Sequence, residues 1–169
     1  MTRELHIVGF KVGRETYGVP ITSLHEIVRV PEITAVPDAP EYMEGVINLR
    51  GKIVSVIDLR KKFGEKQLAV NRRNRILVVE WNGRLSGLIV DSASEVLKIP
   101  AGDVEPAPAV LQEGGLNCVT GLGKFGGRLI VLLDMNKLLE HSAVRQRNAA
   151  GEAKNIGTGK AEARGAGVK

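Results

Sequence analysis

The stretch GVINLRGKIVSVIDLRKKFG, residues 45–64, decides the fold. It reads as two apolar strands around a tight turn at Arg50-Gly51, then a short charged segment with helical spacing. Part of it returns later in the chain. GKIVSVIDLRKKF (51–63) aligns with GRLIVLLDMNKLL (127–139), 76 residues on, with the glycine, Asp58/Asp134 and Lys61/Lys137 coinciding. A second pair agrees. GVPITSLHEIVRVP (18–31) aligns with GLIVDSASEVLKIP (87–100), 69 residues on, sharing the glycine, a serine, Glu26/Glu95 and the closing proline. Self-similarity at a near-fixed offset means one architectural unit built twice. The growth in offset is assigned to a longer loop around Ala109–Asn117 and a wider turn at Lys124–Gly127.

Each copy reads alike outside that stretch. Leu5–Val12 and Thr16–Pro20 are β-rich runs joined at Gly13-Arg14, and Arg75–Trp81 and Leu85–Val90 repeat them across the hairpin signal Asn82-Gly83. A helical turn fits Ile21–Leu24, with a strand at Glu26–Val30. The prolines of PEITAVPDAPEYM (31–43) exclude a central strand. About five short strands per copy is the spacing of small barrels or sandwiches, and closure removes their exposed edges. The predicted fold is all-β with short helices: two five-stranded β-barrels related by a pseudo-twofold. Residues 1–144 form the domain, with subdomains at about 14–64 and 75–134 linked around Gly64–Arg73. The N-terminal strand and a terminal helix complete the barrels.

Composition narrows the function. Of the net charge of +5, the segment 145–169 carries +4, from six Lys or Arg against two Glu. That segment is rich in Gly, Ala and Lys, has little to bury, and is expected to be a disordered basic tail. The rest is near neutral, and the chain has only six aromatic residues. A nucleic-acid-binding barrel, which needs basic residues interleaved with aromatics, is therefore a remote alternative. The single Cys118 cannot form an intrachain disulfide. No signal peptide and no membrane span is recognisable, so a cytoplasmic chain without direct membrane insertion is expected.

Candidates for chemistry give way to structural readings. Asp58 and Asp134 each end a strand before a helical pattern, the place of an N-cap. GLGKFG (121–126) matches a dinucleotide-binding pattern but runs into the strand GRLIVLLD, so it reads as a Gly-rich hairpin. His6, His25 and His141 lack metal-ligand spacing. No catalytic residue, metal or cofactor is expected. Arg50 differs. Gly51 supplies the positive φ of a tight turn, so Arg50 points outward beside Val46, Ile47 and Leu49. Ile21, Leu24 and Ile27 are spaced by three and can line an apolar strip beside Glu26. An arginine and a carboxylate at the rim of such a strip suit protein recognition.

Residues 45–64 are similar to the most diagnostic stretch of the CheW-type chemotaxis coupling proteins. The resemblance extends through FKVGRETYGVPITSLHEIVRVPEITAVP, GLIVDSASEVLKIPAGDVEPAP and VTGLGKFGGRLIVLLDMNKLL, from about Leu5 to His141. It implies two barrels like the third Src-homology domain, side by side, in a non-enzymatic adaptor. The implied partners are the cytoplasmic tips of chemoreceptors and the regulatory domain of the histidine kinase CheA, at receptor arrays. The implied protein-binding residues are an apolar groove at Val8, Ile21, Leu24 and Ile27 and the polar pair Glu26 and Arg50. Gly45, Val46, Asn48 and Gly51 belong to the same region. A same-fold adaptor for surface motility or gene expression is the alternative.

Overall fold

A computed structural model describes residues 3–65, 69–109 and 118–139. The segment 145–169, expected to be a disordered tail, lies outside them.

Eleven strands are described. The first half supplies β1 (Glu4–Val12), β2 (Glu15–Pro20), β3 (Leu24–Arg29), β4 (Met43–Leu49) and β5 (Lys52–Asp58), and the helical turn α1 (Leu59–Lys62). The second half supplies β6 (Arg75–Trp81), β7 (Arg84–Val90), β8 (Ser92–Pro100), β9 (Val104–Pro106), β10 (Val119–Phe125) and β11 (Arg128–Leu133). Residues 135–139 form the short helix α2. A 3-10 turn at Ile21–Ser23 stands where the spacing places helix. Asn82 and Gly83 both take positive φ, as a two-residue hairpin turn requires.

The strands do not assort by repeat. One sheet runs β3-β6-β7-β5-β4 and the other β8-β1-β2-β11-β10-β9. The β1–β2 hairpin thus completes the sheet of the second half, and the β6–β7 hairpin completes that of the first. The halves 14–64 and 75–134 are therefore not separate sheets. The links that exchange the hairpins are parallel pairings, β5 with β7 and β11 with β2. Exchanging the halves maps one sheet order onto the other: β3 onto β8, β6 onto β1, β7 onto β2, β5 onto β11 and β4 onto β10. The second sheet has six strands where five are predicted. Its extra member, β9, is three residues long, and its first-half counterpart is a lone bridge from Thr34 to Val46 inside the proline-rich crossing.

The duplication extends to the irregularities. The β4–β5 register shifts between Met43 and Gly45, and the β10–β11 register between Val119 and Gly121. Asp58 N donates to Tyr42 O and Asp134 N to Cys118 O, both at 2.7 Å. The turn at the end of β10 is not wider than its counterpart. Phe125 pairs with Arg128 across Gly126-Gly127, just as Leu49 pairs with Lys52 across Arg50-Gly51. The increase in offset therefore falls between Pro100 and Val119, ahead of β10.

Each sheet has its own core. Ile47, Val54, Val56, Ile76, Val78 and Ile89 fill the first. Ile7, Leu97, Ile99, Ile130 and Leu132 fill the second. Strand alternation sends Val8 and Phe10 to the other face of β1, yet both are buried. There β1 meets β7, and β6 meets β8. Phe10 stacks on Tyr17, and Tyr17 packs tilted against Phe63 just after α1, which ties the second sheet to the end of β5. Asp91 repeats the tie by accepting from Gly13 N at 2.6 Å.

Asp58 has more partners than a cap needs. It does accept from Arg60 N at 2.9 Å, as predicted. It also holds the Arg60 guanidinium through Nε and Nη2, both at 3.0 Å, with both side chains buried. Arg60 Nη1 reaches Asn74 Oδ1, also buried, and lies 3.7 Å from Asp91. Burial pushes the Arg60 pKa down, but the hydrogen bond and charge of Asp58 outweigh it, and the net direction is up. In the second copy the position of Arg60 is Asn136. Asp134 there caps α2 alone, with Asn136 N at 2.9 Å.

Candidate functional site

The hairpin β4–β5 and the strand β3 meet at one rim. Arg50 and Gly51 form its two-residue turn, with φ of 50° and 85°. Sequence reasoning placed positive φ at Gly51 but missed it at Arg50. Asn48 Oδ1 accepts from Gly51 N at 2.8 Å and fixes the turn from within. An asparagine three residues before the glycine is the signal that reveals this lock. The Arg50 side chain is 70 % exposed, and its guanidinium pairs with the Glu26 carboxylate, 21 % exposed, on β3. His25 Nε2 lies 3.8 Å from the same carboxylate. The two polar residues singled out by sequence thus meet, across 24 residues of chain.

The apolar strip on the other face of β3 depends on a β-bulge. Three-residue spacing would put Leu24 and Ile27 on opposite faces of a regular strand. Leu24 pairs with Val79, however, and Glu26 with Val78, so His25 is an extra residue in β3. Ile27 then pairs with Leu77, which returns it to the face of Leu24. Glu26 turns to the opposite face, toward the barrel mouth where Arg50 waits. Ile21, in the 3-10 turn, is half-buried, as is Leu24, and Ile27 is 38 % exposed.

Three further residues of the expected site lie within the sheets. Val8 is 1 % exposed, because β1 is a central strand covered on both faces, so it belongs to the interior and not to a groove. Gly45 is buried, and its φ of 144° and the Thr34 carbonyl against it leave no room for a Cβ. Gly121 repeats that close approach against the Glu105 carbonyl. Gly45 therefore shapes the sheet. Val46 is half-buried, and its backbone bridges to Thr34 with both bonds at 2.9 Å.

Several exposed apolar residues escaped the sequence reading. Ile53 on β5 is 69 % exposed and Leu129 on β11 is 55 % exposed. They are 76 residues apart and so hold the same place in the two copies. Ile27 and Val96, 69 residues apart, form a second such pair, both exposed. Laying the repeats over each other would have found both, since neither residue fits a polar outer face.

The model of the CheW-like domain matches residues 6–143. The chain belongs to the CheW-like family. It is 38% identical over 136 residues to the chemotaxis protein CheW of Helicobacter pylori, covering 80% of this chain and 82% of that one. It is 36% identical to the chemotaxis protein CheW of Klebsiella aerogenes, covering 77% and 78%. The crystal structure of the scaffolding protein TtCheW from Thermoanaerobacter tengcongensis superimposes with a TM-score of 0.73 at 39% identity, over 78% of this chain and 90% of that one. The two-sheet arrangement is thus the CheW fold, and the family's place is that of an adaptor and scaffold in chemotaxis. Among the described residues no helix is long and apolar enough to cross a membrane, and no three His, Cys, Asp or Glu side chains are placed to hold a metal ion.

Proposed function

We propose that this CheW-like chain is a non-enzymatic adaptor that couples the cytoplasmic tips of chemoreceptors to the regulatory domain of the histidine kinase CheA. It works in the cytoplasm, at receptor arrays on the inner face of the membrane. Arg50 carries the reading. Positive φ costs a residue with a Cβ about 1–2 kcal/mol, and glycine or asparagine fits this turn better. Its ion pair with Glu26 is largely exposed, a setting in which pairs contribute about 0–1 kcal/mol. Stability alone therefore gives no reason for an arginine there. A guanidinium paired with Glu26 at the rim, with the Leu24 and Ile27 strip on the other face of the same strand, does suit a partner that needs oriented hydrogen bonds and an apolar anchor. The duplicated apolar residues Ile53 and Leu129 add two equivalent faces, which suit docking against a barrel of related shape.

Titrating wild type, Arg50→Ala, Arg50→Lys, Glu26→Ala and the double alanine variant separately against receptor tips and the kinase regulatory domain tests this. Truncating Arg50 should cost at least one partner about 2 kcal/mol, as binding hot spots do, and lysine should restore it incompletely. The double variant should lose less than the sum of the single losses. Wild-type affinity of Arg50→Ala for both partners would overturn the assignment.

A further inference from the structure

Beyond the end of the apolar strip lies a cleft of about 300 Å³, lined by Arg29, Val30, Val70, Asn71, Arg72 and Asn74. Arg29 follows Ile27 on the same face of β3 and stands opposite Arg75 on β6. Like charges directly opposite in a β-ladder destabilise it. Arg75 turns away, donating Nη1 to Arg72 O at 2.6 Å and Asn74 O at 2.8 Å. Among the described residues no carboxylate pairs with Arg29, Arg72, Arg73 or Arg75. The cleft thus concentrates positive charge that no described carboxylate answers.

Its wall is rigid. Asn74 is buried; its Oδ1 accepts from Asn71 N at 2.8 Å and its Nδ2 donates to Asp91 O at 3.1 Å. Asn71 Oδ1 accepts from Arg73 N at 2.8 Å, which leaves its amide NH₂ as a further donor. Arg72 sits between these locked asparagines. The asparagines fix the backbone of this wall, while the Arg29 and Arg72 side chains stay exposed.

We propose that this cleft binds a phosphate monoester. Two guanidiniums match a dianion, whereas a carboxylate would neutralise only one of them. Arg29 and Arg72 hold the phosphate oxygens, and the Asn71 amide donates to a third. Val30 and Val70 offer apolar surface to the organic part of the molecule. The cleft has the volume of a small-molecule site, more than an inorganic phosphate ion fills. A soluble metabolite and a lipid headgroup present the same phosphate chemistry.

Calorimetric titration of the full chain with inorganic phosphate and with adenosine monophosphate tests the site. Amide NMR maps the contacts, and sedimentation with phosphatidic acid vesicles separates the lipid source from the soluble one. Arg29→Gln and Arg72→Gln should each weaken binding about tenfold, the worth of one charged hydrogen bond. Arg84→Gln, the same change in charge at the start of β7, should leave it intact. Amide shifts should centre on Arg29, Val30 and Asn71–Asn74, and binding should weaken below about pH 6, where the dianion takes up a proton. Soluble binding or vesicle retention with this variant pattern supports the site and names the source. No binding of any probe, or binding equal in all variants as the basic segment 145–169 would give, overturns it.

Discussion

Asp58 and Asp134 occupy the same place in two copies of one motif and differ in what they hold. Asp134 caps a helix, so Asp134→Ala should cost about 1 kcal/mol. Asp58 also neutralises the buried Arg60, and removing one member of a buried pair costs about 3–5 kcal/mol. Urea denaturation of both alanine variants checks this. Equal losses would mean that the Asp58–Arg60 pair adds nothing beyond the cap. Sequence alone showed the cap at both positions, because a strand end before helical spacing is a local signal. It did not show the ion pair, since Arg60 reads as one of three charged residues on a surface turn. Its burial is set by Asn74 and Asp91, which lie elsewhere in the chain. Arg50 offers the opposite separation of stability from function. Arg50→Gly should raise stability by up to about 1 kcal/mol as the positive-φ strain is relieved, while partner affinity falls.

At the level of elements, strands were legible wherever alternation and turn chemistry agreed. The hairpin around Asn82-Gly83 was found almost to the residue, and the cap before α1 likewise. Bulges were not. The one at His25 carries no turn residue, and only pairing with β6 reveals that it brings Leu24 and Ile27 to one face. The hairpin exchange was hidden for a similar reason. Nothing local in β2 says that its parallel neighbour is β11 and not β5. Two glycines of the same hairpin show how element context sets the effect of a substitution. Gly51 has open space around it, so Gly51→Ala should lose about 1 kcal/mol through positive φ alone. Gly45→Ala meets both positive φ and the Thr34 carbonyl, and its loss should clearly exceed that of Gly51→Ala. Melting curves of the two variants decide this, and equal losses would place the Thr34 bridge outside the cooperative fold.

At the scale of the whole molecule, two buried groups, Cys118 and Tyr17, favour their neutral forms at the alkaline end of the pH scale. Burial pushes the Cys118 thiol above its ordinary 9.0. Burial and the nearby Glu15 and Glu65 push Tyr17 above its ordinary 10.0. Both groups are neutral when protonated, and the folded state binds the proton more tightly than the unfolded one. Their stabilisation is therefore complete below the unfolded values and is lost as pH rises through 9.0 and then 10.0 toward the folded values. Melting temperature against pH should fall first in that order, and Cys118→Ala should remove the earlier part of the decline. An unchanged profile in that variant would acquit the thiol. The exchanged hairpins bear on the chain's ancestry. Each half holds a sheet that only a second half can finish, so the monomer is topologically a fused, domain-swapped dimer. A peptide of residues 1–65 alone should be unfolded when dilute and self-associate as its concentration rises, two copies trading their first hairpins. Sedimentation and circular dichroism across a dilution series would show structure appearing with dimer, and a folded monomeric half would rule out that origin.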